Sequence, residues 1–109
     1  MDIHFTARRF KAHREVRDYA LDAIKKLDKY YDGIVRSDII LSFERRLNSI
    51  KTAEIIIRAG RTVLSATEKS EEFIKSIDLA IGKLERQLDK YKTKIRRKDK
   101  KAIRNVKGK

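Results

Sequence analysis

The chain of 109 residues has no cysteine, no proline and no tryptophan, and it has only two histidines. Without cysteine it can form neither a disulfide framework nor a thiolate metal site. Two histidines are too few for a histidine-rich metal centre. His4 is predicted to point outward from a strand and His13 to stand at the start of a helix. We therefore expect no metal and no cofactor.

Motifs for catalysis and for membrane insertion are missing as well. No GxxxxGK, GxGxxG or GxSxG pattern occurs, and these are the patterns that mark phosphate-binding loops, dinucleotide folds and nucleophile elbows. The acidic residues stand near lysines at spacings that suit surface pairing on helices. The N-terminal residues do not resemble a signal peptide, and no segment approaches about 18 apolar residues. We expect a cytoplasmic protein that is not an enzyme and has no small-molecule substrate.

Positive charge is abundant and lies mostly towards the C-terminal end. The formal net charge is +13, and residues 83–109 contain 13 Lys and Arg against 3 acidic residues, which is 13 − 3 = +10. A block this basic repels itself unless a polyanion binds it. Nucleic acid is the first candidate. An anionic membrane surface is the weaker one, because the C-terminal residues lack Trp, Phe or Leu anchors.

A long amphipathic helix is predicted over residues 70–97. Its apolar residues alternate spacings of three and four, which places them on one face: Ile74, Ile77, Ile81, Leu84, Leu88, Tyr91 and Ile95. A row of cations lies about 150° around the helix and consists of Lys83, Arg86, Lys90, Lys94 and Arg97. Ser70 is expected to cap this helix, with Glu71 and Glu72 in its first turn.

The rest of the pattern predicts an α+β fold in one domain, residues 1–97, followed by a mobile basic tail, residues 98–109. Alternating or β-branched runs predict strands and a 3.6-residue period predicts the first helix; the ranges are 2–8, 37–44, 53–59 and 63–67 for the strands and 14–31 for the helix. Two helices should cover one face of a mainly antiparallel four-stranded sheet. The last three strands should form a meander, with a tight hairpin at residues 60–61 and a longer one at 45–50. The helical crossover favours parallel pairing for the first strand, but the pattern alone leaves its direction open.

The cations on the helices indicate binding to phosphates. Like charges one turn apart cost a few tenths of a kcal/mol, so a row of five favours a polyanion partner over a merely solvated face. If the helices lie side by side, their cations can form one continuous positive surface. Its further members would be Arg8, Arg9, Lys25, Lys26 and Lys29. The chain has no base-reading motif, and Tyr30, Tyr31 and Tyr91 fit the core better than base stacking, which favours recognition of structured RNA through its phosphates and shape.

Two stretches resemble a known family. The sequence KLERQLDKYKTKIR at residues 83–96, preceded by Ser76-Ile77-Asp78, resembles the second-helix signature of the bacterial ribosome hibernation factors, the family of the hibernation promoting factor and of ribosome-associated inhibitor A. TARRF at residues 6–10, Tyr19, and KLDKYYD at residues 26–32 also match. The resemblance implies a β-α-β-β-β-α domain similar to double-stranded RNA-binding domains. It assigns contacts with 16S rRNA to Arg8, Lys26, Lys29, Lys83, Arg86 and Lys90.

The same resemblance implies a function. Such a protein would bind the small ribosomal subunit in the mRNA and tRNA channel near the decoding site, and it would inhibit translation in stationary phase or stress. The chain resembles the short form of the family, which we expect to be a monomer when free and not to pair ribosomes alone. Two other interpretations stay open: a general structured-RNA-binding or ribosome-assembly protein, and a protein-interaction module that uses the apolar row of the last helix as a coiled-coil seam.

Overall fold

The computed structural model describes residues 1–31, 33–44 and 50–107, with side chains described as far as Lys94. The elements follow the predicted order; they are β1 (Asp2–Ala7), α1 (Arg14–Tyr30), β2 (Ile34–Glu44), β3 (Ile50–Ala59), β4 (Thr62–Ser70) and α2 (Phe73–Lys107). Both helices pack on one face of a four-stranded sheet, as predicted for an α+β layer.

The strands lie in the order β1-β2-β3-β4. β1 pairs in parallel with β2, with Phe5 opposite Ile39, because α1 carries the chain back across the sheet between them. The other two pairings are antiparallel, which confirms the predicted meander. Ala59 pairs with Thr62 across the tight turn, where Gly60 has φ +62°, a conformation that glycine adopts without a steric penalty. Residues 45–49 of the predicted longer hairpin lie outside the described residues.

The inner face of the sheet carries the apolar residues that the two-residue period predicts. Ile39 and Leu41 of β2 and Ile55 and Ile57 of β3 are fully buried. The opposite face of the sheet is not covered by either helix, and it carries mainly polar residues, with Ile40 and Ile56 half-buried among them. A partner that binds on the helical side of the protein therefore contacts the exposed surfaces of the helices and not the sheet.

The buried face of α2 agrees with the predicted apolar row at its centre and differs at its start. Ile77, Leu84 and Leu88 are fully buried. The prediction for Ile74 was wrong, because this side chain is 38% exposed. Phe73 packs against the core in its place, stacked on Phe10 with ring centroids 5.1 Å apart. The extra aromatic contact decides which of the two neighbours faces inward.

The first turn of α2 also differs from the prediction. β4 continues to Ser70, so Glu71 and Glu72 precede the helix instead of lying in its first turn. The Ser70 hydroxyl accepts a hydrogen bond from the Glu72 amide at 3.2 Å, and it contacts the buried hydroxyl of Ser76 at 2.6 Å. Ser76 in turn donates to the Lys51 carbonyl at 2.8 Å. This chain of bonds fixes the start of α2 to the start of β3.

At its other end α2 continues to Lys107, which is 107 − 97 = 10 residues beyond the predicted end. The reason is the absence of a stop signal, since neither proline nor glycine occurs after Gly82 until Gly108. The predicted end of the helix at Arg97 was therefore wrong. The mobility predicted for residues 98–109 stays a prediction.

Candidate nucleic-acid interface

The cationic row of α2 is exposed because the opposite side of the helix is held against the sheet. At 100° per residue, Lys83, Arg86, Lys90 and Lys94 fall within about 80° of one another. All four side chains are exposed. The fifth predicted member, Arg97, has a side chain outside the described residues. The structure therefore brings four of the five predicted cations into one row.

Among the described residues, few groups neutralise this row. Lys83 has its Nζ atom 3.3 Å from Oε1 of Glu68 on β4, and the lysine side chain is still 53% exposed. Arg86 directs Nε towards the carbonyl of Gly82 at 3.4 Å, a long contact within the same helix. Lys90 and Lys94 line a shallow depression of about 530 Å³ together with Asp89 and Thr93. The row keeps most of its positive charge available to a partner.

The helices lie parallel and in register. Two tyrosines on α1 donate hydrogen bonds to aspartates on α2, Tyr19 to Asp78 and Tyr30 to Asp89, and each pair is separated by the same 59 positions. Lys92 adds a bond from Nζ to the Tyr30 carbonyl at 3.0 Å, with Nζ 4.4 Å from the centre of the Tyr30 ring. These bonds fix the spacing and the rotation of the two helices, and hence the direction of their cations.

The carboxylates that receive these bonds change the protonation of the tyrosines. Hydrogen bonding to Asp78 raises the pKa of Tyr19, and hydrogen bonding to Asp89 raises the pKa of Tyr30, with smaller contributions from desolvation and from the negative charges. Both shifts favour the neutral phenol that donates the bond. The tyrosines thus stay protonated donors throughout the neutral range.

The cations predicted on α1 divide into two groups. Lys25 and Lys29 are exposed on the outer side of α1. Lys26 instead lines the groove between the helices, a cavity of about 460 Å³ that also contains Asp22, Asp78 and Glu85. The expected continuous positive surface is therefore divided, because carboxylates lie between the cations of α1 and those of α2.

Arg8 and Arg9 lie at the end of the sheet where both helices begin. The Arg8 amide donates to the Leu41 carbonyl at 2.8 Å, which continues the β1–β2 ladder by one bond. The two arginines line a cavity of about 490 Å³ with Ser42 and Phe43. Lys90 is 17 residues after the first residue of α2, or about 25 Å along the axis. The structure does not bring these arginines together with the far end of the α2 row.

Sequence reasoning missed Lys92 and the tyrosine–aspartate pairs between the helices. Nothing in the local sequence marks these contacts, because the partners are 59 or more positions apart. The interpretation of Tyr31 and Tyr91 as core residues fits the structure, because both are half-buried. The same prediction was wrong for Tyr30, which is 41% exposed because its hydroxyl bonds to Asp89 at the surface of the helix pair. Tyr91 packs edge-on against Tyr31 at 5.8 Å and donates to the Ala59 carbonyl at 3.2 Å.

The two histidines are placed as predicted, His4 exposed on the outer face of β1 and His13 at the N-cap of α1. His4 lies opposite Asp38 in the β1–β2 register. The pKa of Asp38 is lowered mainly by its hydrogen bonds from Arg36. In the described part of the chain there is no cluster of three or more His, Cys, Asp or Glu residues able to bind a metal. Within the same residues, neither helix has a stretch long and apolar enough to span a bilayer.

Comparisons with known proteins agree with this architecture. A ribosomal subunit interface protein from Coxiella burnetii has the same fold with a TM-score of 0.77 at 24% identity, covering 85% of this chain and 99% of that one. The N-terminal domain of Thermus thermophilus Protein Y gives a TM-score of 0.72 at 25% identity, covering 84% of this chain and 99% of that chain.

In sequence, the chain is 34% identical over 83 residues to the ribosome hibernation promotion factor of Staphylococcus aureus (strain COL). The match covers 76% of this chain and 44% of that relative, so the chain spans less than half of the relative's length. A family model described as sigma 54 modulation protein / S30EA ribosomal protein matches residues 3–96, nearly the whole described domain. The chain belongs to this family.

Proposed function

We propose that this protein binds 16S rRNA of the small ribosomal subunit in the mRNA and tRNA channel near the decoding site, and inhibits translation in stationary phase or stress. One observation carries the proposal. Lys83, Arg86, Lys90 and Lys94 form an exposed cationic row on a helix whose opposite side is locked into the core, in a family with ribosome-associated relatives. Folded rRNA is a polyanion of matching charge.

In the proposed mechanism the protein occupies the channel and is held there by contacts with phosphates. From Lys83 to Lys94 the row extends about 16 Å along the axis, enough to follow several phosphates. Lysine and arginine contacts to phosphates give affinity and orientation without reading base sequence. A rigid domain held in this way would exclude mRNA and tRNA from the same space and leave the ribosome intact. No bond-making step is needed, and we propose no cofactor or small-molecule substrate.

The acidic groove shapes the proposed contact. Asp22, Asp78 and Glu85 lie between the cationic rows, and phosphates would be repelled from this strip. We propose that the α2 row contacts one stretch of RNA backbone and that Lys25 and Lys29 contact another. Two separated rows suit a folded RNA that presents two strands better than they suit a single strand.

A general structured-RNA-binding or ribosome-assembly role is the second candidate, and the same cationic row supports it. Competition separates the two roles, because only an occupant of the channel should be displaced by initiation factors and initiator tRNA. The coiled-coil alternative is less favoured. The α2 residues that would form the seam, Ile77, Leu84 and Leu88, are fully buried against the protein's own sheet.

Charge reversal tests the proposal. The triple change Lys83→Glu, Arg86→Glu and Lys90→Glu should release the protein from purified small subunits in sucrose-gradient sedimentation, while its melting temperature stays close to that of the wild type. The matched control reverses three exposed cations away from the helices and changes the net charge by the same amount; it consists of Arg58→Glu, Arg61→Glu and Lys69→Glu. Equal loss of binding in both variants would mean that net charge alone, and not the α2 row, determines the interaction. Retained binding of the first variant would disprove the proposed interface.

A further inference from the structure

A small aromatic pocket lies where both helices begin, away from the α2 row. Its volume is about 240 Å³, and its lining includes three phenylalanines, Phe10, Phe43 and Phe73. Phe10 stacks on Phe73 with an interplanar angle of 4°, and it meets Phe43 edge-on at 5.4 Å. The pocket is smaller than the roughly 300–1,000 Å³ typical of sites for drug-sized ligands. It suits one flat ring system.

Two lysines and a histidine surround this pocket. Lys11, His13 and Lys51 line it together with the phenylalanines. Lys51 is held in place by a bond from Nζ to the Glu71 carbonyl at 2.9 Å. An apolar floor with a cationic rim favours a ligand that is both aromatic and anionic.

Phe43 is a shared wall between this pocket and the cavity lined by Arg8 and Arg9. Both arginines are exposed, and among the described residues no carboxylate lies within ion-pair distance of them. Arg9 has φ +62°, which is uncommon for a residue with a side chain and costs roughly 1 kcal/mol or more. Backbone strain of this kind clusters at ligand-binding positions, and it also occurs in ordinary turns such as the one that contains Arg9.

The two adjoining cavities match the two halves of a nucleotide. A guanidinium pair is suited to a phosphate, because arginine donates two hydrogen bonds in a planar fork. Aromatic side chains are the usual platforms for bases that have left their stack. We propose that this site takes one unpaired nucleotide of the bound RNA, with its base in the phenylalanine pocket and its phosphate on Arg8 and Arg9.

The inference rests on the proposed RNA binding and deepens it. An acidic peptide with an aromatic side chain would meet the same chemistry. RNA is favoured because Lys83 of the cationic row is only ten residues, or about 15 Å, along α2 from Phe73. A folded RNA held by that row could therefore supply an unpaired nucleotide to the pocket. In this arrangement the row gives affinity and the pocket gives a preference for RNA with an unpaired base.

The test compares three RNA hairpins with the same stem: one with a single bulged adenosine, one with an abasic bulge and one fully paired. The wild-type protein should bind the adenosine bulge more tightly than the other two, by roughly 5- to 150-fold, the range seen for stacking of one base on an aromatic side chain. Phe43→Leu keeps an apolar side chain and removes the flat ring, so it should abolish this preference and leave affinity for the paired hairpin unchanged.

Arg9→Gly is the second variant, because glycine adopts the positive φ without strain and lacks the guanidinium. It should weaken binding of both bulged RNAs more than binding of the paired hairpin, which loses only the general attraction of one positive charge. Val63→Leu is the control, since Val63 is 54% exposed at the opposite end of the sheet. Circular dichroism melting should show all three variants folded at the assay temperature.

Two results would overturn the inference. One is a wild-type protein without preference for the adenosine bulge, and the other is a Phe43→Leu variant that weakens all three hairpins equally. In the first case, salt-sensitive binding to the paired hairpin would leave the proposed RNA-binding function standing. Displacement of the bulged adenosine by an acidic, phenylalanine-containing peptide, with the paired stem still bound, would assign the pocket to a protein partner instead.

Discussion

The two flanks of α2 carry opposite charge and have different uses. The flank that faces α1 holds Asp78, Glu85 and Asp89, and two of these carboxylates accept hydrogen bonds from tyrosines of α1. On the outer flank, Lys90 and Lys94 are exposed. One flank of a single helix therefore serves to fix the neighbouring helix, and the other is left for a partner. Composition alone cannot separate the two uses, because both flanks belong to the same 35 residues.

The largest expected effect is a loss of stability when a core contact of α2, on the face between the two flanks, is removed. Leu84→Ala deletes a fully buried side chain and should lower the free energy of unfolding by about 2–5 kcal/mol, measured by urea denaturation. Leu79→Ala is the matched control on the same helix, because Leu79 is 45% exposed. It should change stability by about 0.5 kcal/mol or less. Equal losses would mean that α2 does not pack as described.

The next largest effect is on the salt dependence of RNA binding, which distinguishes the outer flank from the flank that faces α1. Lys90→Ala should reduce the slope of log affinity for structured RNA against log salt by about one, because one phosphate contact is lost. Lys92→Ala, two residues away, should leave the slope unchanged, because Lys92 is bonded to the Tyr30 carbonyl. Filter binding or fluorescence anisotropy at several salt concentrations measures both slopes. Similar slopes for the two variants would contradict the claim that only the outer flank contacts phosphates.

A smaller effect is expected where the outer flank meets β4. Glu68→Gln removes the carboxylate beside Lys83, which should free this cation and reduce repulsion of phosphates. Because exposed pairs of this kind are worth about 1 kcal/mol or less, affinity for RNA should rise by no more than about fivefold. Glu54→Gln on the sheet face away from the helices changes the charge equally and should raise affinity less. The same anisotropy titration measures both variants.

The smallest effect is a pH dependence confined to the inner flank. Tyr19 and Tyr30 have raised pKa values in the folded protein, so the folded state holds these protons more tightly than the unfolded state. Their contribution to stability is fully present below the ordinary tyrosine pKa of 10.0 and is lost as pH rises through the folded value. Stability should therefore fall above about pH 10.

The double variant Tyr19→Phe and Tyr30→Phe isolates this contribution, because lysines titrate in the same range. Its stability should fall less steeply than that of the wild type between about pH 9 and pH 11, measured by urea denaturation in matched buffers. Parallel curves would show that the tyrosine–aspartate bonds contribute nothing to stability.

Hydrophobic periodicity predicts burial correctly wherever the burial of a residue depends only on its own helix or strand. The two-residue period of β2 and β3 correctly predicted buried Ile39 and Ile55, and the period of α2 correctly predicted Leu84 and Leu88. It failed at Ile74, where the neighbouring Phe73 joins an aromatic cluster with Phe10. The pattern also predicts too early an end for α2, because the apolar periodicity is lost after residue 97 while the helical backbone continues. Helical backbone needs favourable residues and no breaker, and these conditions hold as far as Lys107.

The sequence by itself determined the order of elements, the face of each that is buried and the existence of an exposed cationic row, because periodicity and charge are properties of neighbouring residues. Only the tertiary structure decided the parallel direction of β1, the placing of Lys26 in an acidic groove and the meeting of Phe10, Phe43 and Phe73 in one pocket. These features depend on contacts between residues far apart in the chain. Such contacts are set by how the helices and sheet pack together, and no local pattern records them.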